Sequence, residues 1–272
     1  MRTAKAGTVA ALVAACGVLI AVSSSTSAFA QQQESRLNRV TKTGVLRVCQ
    51  TTSYYAVSYR NPKTDQLEGI DADLARELAK ELGAKLEVVE SNFATFIADL
   101  QADKCDIGMF GIAATLKRAQ VVEFSKPYLL TSLYAIIRKD GKIKSWDDID
   151  KPGVRIGAPL GSYTDTFMRS YFKQATLTSV APPATIEGEL AANRGDAMIG
   201  DYASAIRTKN EFDWAEVVAP DKPLRQTPYA YVMPQGDQVW LNYINLFIDT
   251  VKADGRLKAF AEKYQLGPIL AP

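Results

Sequence analysis

The chain has 272 residues, with 32 basic and 30 acidic side chains, three cysteines and no histidine. Without imidazole, Ser-His-Asp and Cys-His catalysis, histidine general bases and histidine metal sites are all excluded. Residues 1–30 hold two basic side chains, Arg2 and Lys5, and no acidic one, so the rest of the chain carries no formal net charge. That balance points away from nucleic acid or an anionic membrane surface as partner.

Arg2 and Lys5 form a basic start, Ala6 to Val22 is apolar or small, and Ala28-Phe29-Ala30 follows a polar Ser/Thr run. This is the order of a secretory signal peptide, with cleavage expected before Gln31. A competing reading takes Val13-Ala14-Ala15-Cys16 as a lipobox with a lipid on Cys16, but the apolar run continues through Gly17 to Val22, where a polar mature chain would have to start. Both readings export the protein. The remaining length, about 240 residues, suffices for two modest lobes.

Strand and helix signals then alternate, which indicates an α/β architecture with open sheets. Val45 to Cys49 reads as a first strand, and Ile70, Leu74, Leu78 and Leu82 recur at helical spacing before Gly83, an amphipathic helix with a glycine stop. Lys85 to Glu90 alternates like a strand, Phe93 to Leu100 reads as a helix, and Cys105 to Phe110 as the next strand. The apolar run Ile107 to Ala114 leads into Thr115-Leu116-Lys117-Arg118, followed by Phe124-Ser125-Lys126-Pro127-Tyr128. Arg118 thus falls on the first turn of a short helix behind a buried strand. Its fork of donors, beside free backbone N–H groups, suits a carboxylate. A lone arginine there reads as a solvated surface residue, and the rest of the chain decides between the two.

A second set of elements starts near Trp146. Gly153 to Gly157 is a strand running into Gly161-Ser162-Tyr163-Thr164-Asp165, where Ser162 is placed to cap a helix carrying Phe167, Met168 and Tyr171. Ile186 to Ala192 is helical, and the strand Asp196 to Gly200 delivers Asp201 to a following helix. Val217 and Val218 suggest a further strand, and helices over Val239–Lys252 and Leu257–Tyr264 close the chain. Leu133–Arg138 and Tyr229–Met233 are extended segments where the chain would leave one lobe and return to it, a side-by-side hinge suited to closure on a ligand.

Cys49 and Cys105 survive processing. In an oxidising compartment such a pair reads first as a disulfide, and neighbouring strands would bring the two together. Two buried free thiols are the alternative, and a metal site without histidine is a poor ligand set.

Gly44-Val45-Leu46-Arg47-Val48, Gly69-Ile70-Asp71-Ala72-Asp73-Leu74, Cys105-Asp106-Ile107 with Thr115 to Arg118, Gly153 to Asp165, Gly195-Asp196-Ala197 through Asp201, and Asp254-Gly255-Arg256-Leu257 occur in one order and spacing. In this the mature chain resembles bacterial periplasmic solute-binding proteins of the polar amino acid ABC-transporter type, family 3. The resemblance implies a two-lobed type II clamp, each lobe an open, mostly parallel sheet flanked by helices. Residues 31–134 with 234–272 would form lobe 1 and residues 138–229 lobe 2, with hinges at 133–138 and 229–234.

It further implies that Arg118 grips the ligand α-carboxylate, that Asp201 receives the ammonium, and that Tyr54 and Phe93 wall the side chain. Backbone groups near Phe110, Gly111 and Ala113, with an N–H at Tyr163, would complete the cradle. The implied protein is a periplasmic monomer that hands an amino acid to an inner-membrane ABC permease and needs neither cofactor nor metal. Gly111 and Ala113 stand where hydroxyl residues are common and Tyr163 where threonine is common. Thr51 stands where members binding basic amino acids have an acid, which argues against such a ligand, and Phe110 with Tyr163 would favour an uncharged or aromatic side chain.

The chain is also similar to periplasmic cyclohexadienyl dehydratases, including its Ser35-Arg36-Leu37-Asn38 opening. That reaction needs a carboxylic acid donor in the cleft. Asp165 is the candidate, although the dehydratase-like motif has glutamate there. A third class, a sensory binding protein, would use the same clamp with a different partner.

Overall fold

The computed structural model describes Thr3, residues 34–224 and residues 226–272. The expected leader, with Cys16, lies outside the described residues apart from Thr3. The first part of the chain runs α1 (Arg36–Thr43), β1 (Val45–Gln50), β2 (Ser53–Tyr54), β3 (Ser58–Arg60), β4 (Leu67–Glu68), α2 (Ile70–Glu81), β5 (Lys85–Glu90), α3 (Phe96–Gln101), β6 (Ile107–Gly108) and β7 (Glu123–Thr131). The middle part is β8 (Tyr134–Arg138), β9 (Arg155–Pro159), α4 (Tyr163–Tyr171), β10 (Thr176–Val180), α5 (Ile186–Ala191), β11 (Ala197–Gly200), α6 (Tyr202–Glu211) and β12 (Ala215–Val218). The last part is β13 (Thr227–Met233), α7 (Gln238–Ala253) and α8 (Arg256–Lys263).

Two five-stranded sheets share one layout, β5-β1-β6-β13-β7 in the first and β10-β9-β11-β8-β12 in the second. In the first, β5, β1 and β6 are parallel and β13 runs against both β6 and β7. In the second, β10, β9 and β11 are parallel and β8 runs against both β11 and β12. Each sheet therefore has a single reversed strand, and β2-β3-β4 form a small separate sheet. Parallel strands are buried on both faces and need helical crossovers, as the alternating signals indicated.

Local packing follows the sequence pattern. Ile70, Leu74 and Leu78 of α2 are buried in the core that the first sheet shares with α7, each contributing roughly 1.5–3 kcal/mol. Gly83, just past α2, has φ +61°, the left-handed conformation that a glycine stop supplies. Trp240, Ile244, Phe247, Ile248 and Val251 line the buried stripe of α7. Asp237 caps that helix by accepting from Trp240 N–H at 3.0 Å and also accepts from Arg36 N–H at 2.7 Å, tying α1 to α7.

Several expectations change. The helix expected from Phe93 starts at Phe96, because the Asn92 side chain accepts from the N–H groups of Ala94 (2.9 Å) and Thr95 (3.2 Å) and holds a turn there. The strand expected over Cys105–Phe110 is confined to Ile107–Gly108. The paired hinge of 133–138 with 229–234 is corrected: β8 lies inside the second sheet and β13 inside the first, so these strands do not pair. The strands that flank the crossings and pair are β7 and β13, with Thr227 opposite Thr131. β7 was hidden in the sequence by Pro127, which is tolerated because β7 is an edge strand.

Cys49 on β1 and Cys105 before β6 form a disulfide with Cα atoms 5.5 Å apart and a sequence separation of 56. Cys49 pairs in register with Gly108 of β6, which brings the two sulfurs together. A loop of that size restricts the unfolded chain by about 4 kcal/mol in the chain-entropy model. Replacing both cysteines by alanine is expected to lower the urea-unfolding free energy by roughly 2–4 kcal/mol; an unchanged midpoint would show that the bridge is energetically idle.

Candidate ligand-binding cleft

In open α/β sheets ligands sit beyond the carboxyl ends of the strands, where strand order reverses. Both sheets reverse in this way, at β1/β6 and at β9/β11. The segments just past those ends line one cavity of about 120 Å³: Thr51, Tyr54, Gly111 and Ala113 from the first sheet, Ser162, Tyr163 and Asp201 from the second. At about 10–15 Å³ per water position, this space suits a guest of roughly amino-acid size.

Arg118 opens a 3₁₀ turn, Arg118–Gln120, in the connection between β6 and β7. Its Nη1 donates to the Ala113 carbonyl at 2.9 Å and its Nη2 to the Gly161 carbonyl at 2.9 Å, so the guanidinium joins loops of both sheets. Its Cζ lies 5.2 Å from the Phe96 ring centroid, within cation–π range. Burial lowers the Arg118 pKa to about 10 against the opposing field of the Tyr229 oxygen, which leaves the side chain cationic at neutral pH. Gly161 has φ +73°, and a Cβ there would lie 2.8 Å from Ala94 Cα and Phe93 O. Only glycine permits that approach.

Asp201 caps α6, its Oδ1 accepting from Ser204 N–H and Ser204 Oγ–H, both at 3.0 Å. Its Oδ2 accepts from Tyr229 Oη–H at 2.8 Å and from Tyr54 Oη–H. Asp201 thus caps α6 with one oxygen and turns the other to the two tyrosines at the cavity. Burial and the neighbouring carboxylate push the Tyr54 and Tyr229 phenols well above their ordinary range, so both stay protonated donors.

Tyr54 and Phe93 meet edge to face at 5.7 Å and form an aromatic wall of the cavity. Phe110 does not belong to it. Its ring is fully buried behind Phe93 at 5.2 Å and against Phe96 at 6.0 Å, because the chain turns at Gly111 (φ +65°) and leaves Phe110 on the core side. The Gly111 N–H, expected in the ligand cradle, is donated instead to Asp71 Oδ2 at 2.7 Å. The carbonyl of Ala113 accepts from Arg118 as above, and Tyr163 is the first residue of α4, where N–H groups lack intrahelical acceptors. Thr51 Oγ1 pairs with Ser53 Oγ at 3.2 Å.

Asp165 does not line the cavity. It accepts from Gly161 N–H at 3.1 Å and Ser179 Oγ–H at 2.7 Å and pairs with Arg169 at 3.2 Å, so it is held at its own helix start. Tyr229, Glu187 and Arg207 line the cavity and were missed in the sequence. Tyr229 stood only as an extended residue, and nothing local to α5 or α6 marks which face meets the other sheet.

Two mixed α/β sheets closing on a cavity that holds a fixed cation and a fixed anion define a clamp for a small polar molecule. Residues 46–267 match the family described as bacterial extracellular solute-binding proteins, family 3, and the chain belongs to that family. It is similar to the cyclohexadienyl dehydratase of Pseudomonas aeruginosa, 31% identical over 92% of this chain and 91% of that protein. It is also similar to the L-cystine-binding protein TcyJ of Escherichia coli, 25% identical over 93% of this chain and 94% of that protein. Among solved structures, the ancestral amino acid-binding protein AncCDT-1, a precursor of cyclohexadienyl dehydratase, superposes with a TM-score of 0.77 at 32% identity, covering 84% of this chain and 98% of that one.

Asp71 sits fully buried under the Gly111 turn and also accepts from Tyr128 Oη–H at 2.5 Å and Tyr231 Oη–H at 3.3 Å. Burial raises its pKa to about 7, against those donors, which favour the charged form. The folded state therefore binds a proton that the unfolded chain has released. Its stabilising contribution is complete below the ordinary carboxylate pKa and is lost as pH rises through 7. Asp71→Asn cannot titrate, so urea unfolding at about pH 5 and about pH 8 should show wild type losing stability relative to the variant at the higher pH. An equal difference at both values would remove the shifted proton.

Proposed function

We propose that this protein captures an amino acid, or a similar small zwitterion, in the periplasm and delivers it to an inner-membrane ABC permease. The observation that carries the reading is the placement of Arg118 and Asp201 on different sheets around one cavity. A zwitterion would set its carboxylate on the Arg118 guanidinium, with the free N–H groups at the start of α4, and its ammonium on Asp201. The amino acid-binding names among the relatives support the same assignment. No covalent step is required, and the protein would act as a monomer.

The dehydratase relative favours a second reading, elimination of water from a cyclohexadienyl substrate on the same clamp. Asp165, the donor candidate for it, does not line the cavity and is committed to Gly161, Ser179 and Arg169.

A thermal-shift screen against the common L-amino acids is expected to yield a ligand that raises the melting temperature by mass action. Arg118→Ala should weaken that ligand by about 100-fold or more, the loss of two charge-assisted hydrogen bonds, and an undiminished shift would refute the carboxylate role. Prephenate and L-arogenate should pass through unchanged; release of phenylpyruvate or phenylalanine would establish the second reading instead.

A further inference from the structure

Glu187, at the first turn of α5, is 7% exposed and lines the cavity. Its only partner among the described residues is Arg207, whose Nη1 lies 3.5 Å from Oε1, an ion pair beyond good hydrogen-bond length. Arg207 is otherwise engaged. Its Nε donates to Glu211 at 3.0 Å, and its guanidinium lies over the rings of Tyr55, Tyr59 and Phe212 at 5.7, 5.4 and 5.5 Å. Two carboxylates thus flank one guanidinium, and the group retains one negative charge. A nearly buried carboxylate without a hydrogen-bond donor is costly, and a donor that neutralises it is correspondingly favoured.

Position along α6 says which part of a ligand meets this group. Asp201, Ser204 and Arg207 all line the cavity, and their spacing of three puts them on one helix face. Six residues of helix span about 9 Å, so Glu187 and Arg207 stand a side chain's reach away from the Asp201 end. The first-sheet side of the cavity has no acid at Thr51, which is paired to Ser53; Glu187 supplies one from the second sheet. Tyr54, Tyr55 and Phe93 offer aromatic surface along the way.

We infer that the ligand's side chain ends in a cationic nitrogen group, an ammonium or guanidinium, and that Glu187 is the residue that selects it. This rests on the proposed capture of an amino acid by Arg118 and Asp201 and names the side-chain class. It replaces the preference for an uncharged or aromatic side chain, which leaned on Phe110 and Tyr163; Phe110 is in the core, and Tyr163 alone remains at the cavity.

Calorimetric titration of the purified protein and of Glu187→Gln with L-lysine, L-arginine, L-glutamine and L-leucine tests it. Wild type should bind one of the basic amino acids about tenfold or more tighter than either neutral one. Glu187→Gln should lose about tenfold or more for the basic ligand and change less than about twofold for L-glutamine. Glu187→Asp should recover part of the basic preference. Neutral ligands binding as tightly as basic ones, or Glu187→Gln weakening all of them alike, would overturn the inference and leave zwitterion capture standing. Binding of none of the four and of no other amino acid would sink the capture reading itself. If Glu187→Gln failed to fold, the wild-type ranking alone would still decide.

Discussion

A guanidinium and a carboxylate, carried by separate sheets, are held beside one cavity, and the contacts around them keep them there. Taking an ion out of water costs several kcal/mol unless its hydrogen-bonding capacity is met. Arg118 meets part of it with the carbonyls of Ala113 and Gly161, and Asp201 meets it with four donors from Ser204, Tyr54 and Tyr229. Both side chains are thereby fixed in direction by the protein itself. Preorganisation of this kind reduces the ordering cost of binding.

The supports reach into each lobe. Asp71 is buried below the Gly111 turn and takes its N–H, so the turn beside Tyr54 is anchored to the core that contains Tyr128 and Tyr231. Gly161 lets the loop before α4 approach the Phe93–Ala94 backbone. The same contacts couple the sheets: Arg118 to Gly161, Tyr54 to Asp201, and Tyr202 N–H to Thr131 Oγ1 at 3.3 Å. A guest touching both sides adds to that set, and differential contact of this sort is what shifts a clamp toward closure.

The family hosts both capture and catalysis, and its fold does not choose between them. The choice lies in which acids face the guest. Asp165 is turned into its own helix start, whereas Asp201 and Glu187 both line the cavity, Glu187 with only a long ion pair.

Much of this was legible in the chain itself wherever the signal was local. The four-residue spacing of Ile70, Leu74 and Leu78, the alternation over Lys85–Glu90, the Ser162 cap and the delivery of Asp201 from strand to helix all depend on neighbours a few residues away. So does the placement of Arg118 on a short turn after an apolar run. The pairing of β7 with β13, the seat of Phe110 in the core, the loss of the Gly111 N–H to Asp71, and the arrival of Tyr229, Glu187 and Arg207 at one cavity were decided only by the tertiary structure. Those contacts join residues far apart in sequence, and which face of a strand or helix meets a distant partner is set by long-range packing that no local period encodes.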